Sequence, residues 1–123
     1  MAAALEPKYY DKKLVFVCSS SLENGQGNIE NVRRYCNYVF NCGAVPFAPQ
    51  LFFPQFLDTS DADQRKSIIG AGIVVLSECD ELWAFGDRLS ETMRLELKVA
   101  DGLAIPMKFF NNECEGVDHD ALR

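Results

Sequence analysis

The sequence predicts an α/β domain built on a parallel sheet in the strand order 2-1-3-4, and three observations lead there. Short apolar runs alternate with longer stretches of helical periodicity, which implies parallel strands joined by helical crossovers. The first run, LVFVC at residues 14–18, is apolar at every position, as a strand covered on both faces must be. Prolines fall in the second run (Pro46) and the fourth (Pro106) and in neither of the others. Proline cannot donate to a ladder, so those two strands belong at the edges.

The elements follow in order. After strand one comes a Gly- and Asn-rich loop, and then Ile29, Val32, Cys36, Val39 and Phe40 recur at helical spacing, with Asn28 as the expected cap and Gly43 as the stop. Residues 44–48 read as strand two, followed by a loop carrying Phe52, Phe53, Pro54 and Phe56. A helix is expected over residues 61–79 with Ile68, Ile69, Val75 and Leu76 inward, although Gly70 and Gly72 each weaken it by roughly 1 kcal/mol relative to alanine. ELWAF at residues 81–85 is strand three. Ser90 caps a helix that runs to about Asp101 and ends at Gly102, and residues 104–110 form strand four. Right-handed crossovers place the first helix on one face and the later ones on the other. The result is a single Rossmann-like (flavodoxin-like) three-layer domain with a four- to five-stranded sheet, spanning residues 12–110 between tails at 1–11 and 111–123 that are expected to be poorly ordered. Strand order reverses between strands one and three. A ligand crevice is therefore expected at their carboxyl ends, near Cys18, Ser19 and Ser20 and near Phe85, Gly86 and Asp87.

Composition narrows the function. The chain has 123 residues, 18 acidic against 12 Lys and Arg, and a net charge of −6. That balance excludes a nucleic-acid polymer as partner, since a backbone binder needs a basic face, and it disfavours anionic lipid. Residues 35–57 contain no charge, a length that could suggest a membrane span, but Pro46, Pro49 and Pro54 would leave backbone groups without partners in lipid. The five cysteines (Cys18, Cys36, Cys42, Cys79, Cys114) are odd in number and lack a CxxC pair, and no secretory signal opens the chain, so free thiols in a cytoplasmic protein are expected. His119, the single histidine, sits in the tail, which disfavours a Ser–His or Cys–His mechanism. No metal-ligand cluster has workable spacing, and no cofactor is expected. The loop at residues 22–28 (LENGQGN) lacks Walker or GxGxxG spacing and reads as a lid beside the pocket.

One residue departs from the core pattern. On the helix after strand three, Met93, Leu97 and Ala100 form one stripe with Thr92 and Val99 at its flank, and Glu96 falls inside that arc. Arg94, Lys98 and Asp101 occupy the other side. An inward carboxylate near the crevice is costly unless partnered, its pKa rises, and such groups are often catalytic. The alternatives are a salt bridge to a buried arginine or a side chain reaching out from the rim of the stripe.

The segments LVFVCS (14–19), VPFAP (45–49), LFFPQFLD (51–58), DELWAFGDR (80–88) and SETMRLE (90–96) resemble a family of small bacterial and phage proteins within the nucleoside 2-deoxyribosyltransferase-like superfamily. The resemblance implies a glutamate that attacks the anomeric carbon of a nucleoside or nucleotide, and the matching residue is Glu96. It implies Asp87 as the group assisting departure of the base and substrate contacts from Ser19, Ser20 and Ser90; Asp58 is the reserve acid, and Cys18, Gln50, Gly86, Thr92 and Met93 complete the expected substrate-binding set. Relatives commonly carry glycine where this chain has Thr92 and histidine where it has Gln50, so a threonine crowds the ligand and an acid–base group is missing. The implied chemistry is a retaining double displacement at C1′ of a (deoxy)ribose, ending on water or a second base. Two further readings stand beside it: a non-catalytic binder of a nucleotide or ADP-ribose-like ligand, and an interaction module built on Phe52, Phe53 and Phe56. The resemblance also implies a homodimer or higher homo-oligomer.

Overall fold

A computed structural model describes residues 4–20 and 26–118. The expected lid at residues 22–28 lies largely outside the described residues, as does His119. Four strands, β1 (Leu14–Cys18), β2 (Val45–Phe47), β3 (Glu81–Phe85) and β4 (Met107–Phe110), form one parallel sheet in the order β2-β1-β3-β4. The helices are α1 (Gln26–Asn41), the one-turn α2 (Pro49–Phe52), α3 (Ala62–Leu76) and α4 (Glu91–Gly102). No helix among the described residues is long and apolar enough to cross a membrane.

Strand alternation sorts the core into two layers. Val15, Val17, Trp83 and Phe85 point to one face and pack on Val32, Tyr35 and Val39 of α1. Phe16, Cys18, Leu82 and Ala84 point to the other and pack on Leu76 of α3 and Met93, Leu97 and Ala100 of α4. The α1 face is set by Val32, Tyr35 and Val39. Phe40, expected inward, is exposed, because it lies one position beyond that stripe. The helix also begins at Gln26, so Asn28 is within it and is not its cap.

Two other boundaries shift for local reasons. Asp61 caps α3 by accepting from the Gln64 backbone N–H at 2.9 Å, and the helix stops at Leu76 rather than at residue 79. Gly72 lets α3 lie close to Pro49, whose ring would sit 3.3 Å from an added Cβ. β4 begins at Met107, after a turn in which Ala104 has φ +59°, so Pro106 precedes the strand; its carbonyl still accepts from Leu82 N–H at 2.9 Å. The segment holding Phe52, Phe53 and Phe56 is a compact helical turn, not an open loop. Phe53 is buried there, while Phe52 and Phe56 are 47% and 62% exposed.

The chain does not loosen after β4. Asn111 N–H donates to Glu115 O at 2.9 Å, Val117 N–H returns to Phe109 O at 2.9 Å, and Phe110 bridges Gly116. As far as Asp118, the stretch expected to be a poorly ordered tail is part of the fold.

Candidate functional site

The carboxyl ends of β1 and β3 open onto a cleft of about 240 Å³, lined by Ser19 and Ser20 after β1, Asn31 and Tyr35 of α1, Phe85, Gly86, Asp87 and Arg88 after β3, and Asn112. Gly86 makes the turn possible. Its φ of +126° is strained for any residue with a side chain, and its N–H donates to Phe110 O at 3.1 Å. Beneath the cleft, Tyr35 stacks on Phe85 (4.6 Å, 12°) and Phe85 on Phe110 (4.9 Å, 15°).

Asn112 ties three elements together at this cleft. Its Oδ1 accepts from the Tyr35 hydroxyl at 3.0 Å, its Nδ2 donates to Asp87 Oδ2 at 2.6 Å, and its carbonyl accepts from the Arg34 guanidinium. Sequence reasoning missed it, because it lies past the last strand. Tyr35 was also missed, although Val32, Tyr35 and Val39 share the i, i+3, i+7 spacing of one helix face.

On the other side of Ser19 and Ser20 lies a much smaller cavity, about 10 Å³, lined by those two serines with Pro49, Gln50, Ile68, Ile69, Thr92 and Glu96. Glu96 comes from the second turn of α4. Ser90 caps that helix by accepting from Met93 N–H at 3.2 Å. Glu96 is 5% exposed, and its Oε1 has no hydrogen-bond donor. Removal from water pushes its pKa up to about 7; a hydrogen bond from the Cys18 thiol opposes the rise. Among the described residues no ion pair neutralises it. Gln50, 6% exposed, donates through Nε2 to both the carbonyl and the hydroxyl of Ser19 at 2.9 Å, and its Oε1 is likewise without a donor. Gln50 is thus held by α2 against the end of β1.

The structure brings Ser19, Ser20, Gln50, Thr92 and Glu96 together, and sets Gly86 and Asp87 on the neighbouring cleft. Four expected site residues lie elsewhere. Cys18 is fully buried on the α4 face of the sheet, where strand alternation directs it, and it meets Glu96 instead of the cleft. Burial and then the Glu96 charge raise its thiol pKa well above the ordinary value, so it remains a hydrogen-bond donor. Met93 is a core residue with no exposure. Asp58 lines neither space: it accepts from the Ser60 N–H and hydroxyl at 2.9 and 2.7 Å, bonds that lower its pKa. Ser90 acts as the helix cap. Among the described residues no group of three or more His, Cys, Asp or Glu side chains could hold a metal ion.

The sequence matches the family described as "Domain of unknown function (DUF7768)" over residues 13–110, and the chain belongs to that family. No curated protein matches it. The solved structure of a 2-deoxyribosyltransferase from the psychrotolerant bacterium Bacillus psychrosaccharolyticus is similar with a TM-score of 0.66 and 16% identity, over 89% of this chain and 82% of that one. The likeness establishes a 2-deoxyribosyltransferase-like fold.

Proposed function

We propose that this protein acts at C1′ of a nucleoside or nucleotide, breaking the N-glycosidic bond with Glu96 as the attacking carboxylate. The observation that carries the reading is Glu96 itself: a carboxyl group almost wholly out of water, with an oxygen that no protein donor satisfies, beside the switch-point cleft. Holding a carboxyl group this far from water with a thiol as its donor costs stability, and carboxyl groups perturbed in this way cluster at functional sites. With the sugar lying over Ser19 and Ser20, the base occupies the cleft beside Tyr35 and Asp87, and C1′ is directed toward Glu96.

In the first step a Glu96 oxygen bonds to C1′ while the C1′–N bond breaks. The bonding pair leaves with the base, which takes a proton from Asp87. In the second, water or another base attacks C1′ and the Glu96 carboxylate departs; the proton lost by the attacking group returns to Asp87. Positive charge on the sugar peaks between reactant and glycosyl-enzyme, and a fixed carboxylate in a site of low dielectric stabilises it before the bond is complete. Cys18 holds the carboxyl from below, and the Asn112 bond fixes the direction of Asp87.

The test is incubation with a panel of nucleosides and mononucleotides, with released base read by chromatography. Wild-type protein should release base, and Glu96→Gln should lose that release by about 10⁴-fold or more. Release that persists in Glu96→Gln overturns the role given to Glu96. Tight binding with no release in the wild type selects the non-catalytic binder.

A further inference from the structure

Two residues that line the small cavity bordering the cleft, Gln50 and Glu96, each carry a buried side-chain oxygen without a hydrogen-bond partner. The direction of the Gln50 amide is fixed by chemistry: its Nε2 lies 2.9 Å from the Ser19 carbonyl, which can only accept, so reversing the amide would set oxygen against oxygen. The ionised Glu96 carboxylate also only accepts. A ligand that brings a hydroxyl here gives one of these two acceptors a donor, the carboxylate being the stronger; a ligand that brings a methylene leaves both without one.

Size limits what that donor can be. About 10 Å³ is close to the space of one water molecule, too little for a sugar ring and enough for one hydroxyl. A pentose resting on Ser19 and Ser20, with C1′ toward Glu96, carries its nearest hydroxyl on the adjacent carbon, C2′. We propose that this cavity receives the 2′-hydroxyl, and that the protein therefore acts on ribosyl rather than 2-deoxyribosyl compounds. The inference rests on the C1′ reading above and gives its substrate class. The 2′-hydroxyl ordinarily opposes cleavage by withdrawing electrons from C1′. A hydrogen bond from it to a buried carboxylate offsets that effect, and it strengthens as positive charge develops on the sugar. A pocket built to hydrogen-bond a substrate hydroxyl rejects the analogue lacking it far more strongly than an apolar pocket rejects an extra group.

The experiment compares matched ribo- and 2′-deoxyribonucleosides, and their 5′-monophosphates, at pH 8, where Glu96 with its pKa of about 7 is ionised. Affinity is measured by calorimetry and base release by chromatography. The ribo member of each pair should bind more tightly, and be cleaved with a higher kcat/KM, by about 100-fold. Glu96→Gln, read in the binding experiment and checked for a cooperative melting transition, should narrow the gap by replacing the charged acceptor of the 2′-hydroxyl with a neutral amide; the wild-type pairs decide the matter if that variant does not fold. Equal affinity for the two sugars, tighter binding of the 2′-deoxy member, or binding of neither overturns the inference. Release of base from 2′-deoxy substrates alone overturns it and leaves cleavage at C1′ intact. A ribo preference in binding with no release from any substrate supports it and instead removes the cleavage reading.

Discussion

Two glutamates in this protein are buried to nearly the same degree, Glu81 at 7% exposed and Glu96 at 5%, and they have opposite chemistry. Glu81 opens β3 at the amino end of the sheet. Its Oε1 accepts from the Trp83 indole at 2.8 Å and faces Lys108 at 3.8 Å, and its Oε2 accepts from Lys13 at 2.8 Å. The Lys13 hydrogen bond, with help from Trp83 and Lys108, holds its carboxyl below the usual range despite desolvation. Glu96 sits near the carboxyl end with one thiol as its donor, and desolvation prevails. Burial alone therefore does not decide what a carboxylate can do. Its partners decide, and the carboxyl at the cleft end of the sheet has almost none.

The contrast has measurable consequences. The largest lies in the pH dependence of stability. Between pH 4.5 and about 7 the unfolded chain ionises Glu96 while the folded one keeps its proton, so the unfolded state binds fewer protons and stability falls as pH rises. The shift corresponds to roughly 3 kcal/mol across that window, with no further loss above it. Urea unfolding at pH 5 and pH 7.5 should show this as a wild-type loss that Glu96→Gln lacks; parallel behaviour of the two proteins would mean that Glu96 has partners this structure does not give it. Glu81 carries the opposite sign, its contribution being lost as acid protonates it below its ordinary pKa of 4.5.

Next in size is Glu81→Ala. It leaves the buried Trp83 N–H without an acceptor and should cost roughly 1–3 kcal/mol at neutral pH, read from the urea midpoint, with ligand binding at the far end of the sheet unchanged. A loss of binding in that variant would dissolve the distinction between the two ends. Smallest is Ser90→Ala, which removes the cap of the helix carrying Glu96 and should cost about 1 kcal/mol in the same measurement.

Much of this was legible in the residues. The strand order came out as expected, with Pro46 inside the edge strand β2; Pro106 stands just before β4, so its missing N–H marks the approach to the other edge and not a rung of it. The inward turn of Glu96 followed from the α4 periodicity alone. The surroundings of Glu96 were not legible. That Gln50 bonds Ser19, 31 positions away in the chain, and leaves its own oxygen buried without a partner depends on where α2 docks after β2, and no period records that. Cys18 was read as a ligand contact because it ends β1 beside two serines. A strand sends successive side chains to opposite faces, and the thiol went under the helix instead. Asp58 sat in a matched segment, yet its carboxylate closes a local turn with Ser60. Asn112 escaped because a polar, acidic stretch following the last strand carries no pattern that distinguishes a built wall from a loose end.

That last residue has a practical corollary. The sheet and the family match both finish at Phe110, a natural place to draw the edge of the domain. A chain trimmed there would retain all four strands, both core layers and Glu96. It would nonetheless lose one side of the cleft, because Tyr35 and Asp87 would each lose the amide that joins them. Such a truncated protein would put the proposed site to the test with one of its walls missing.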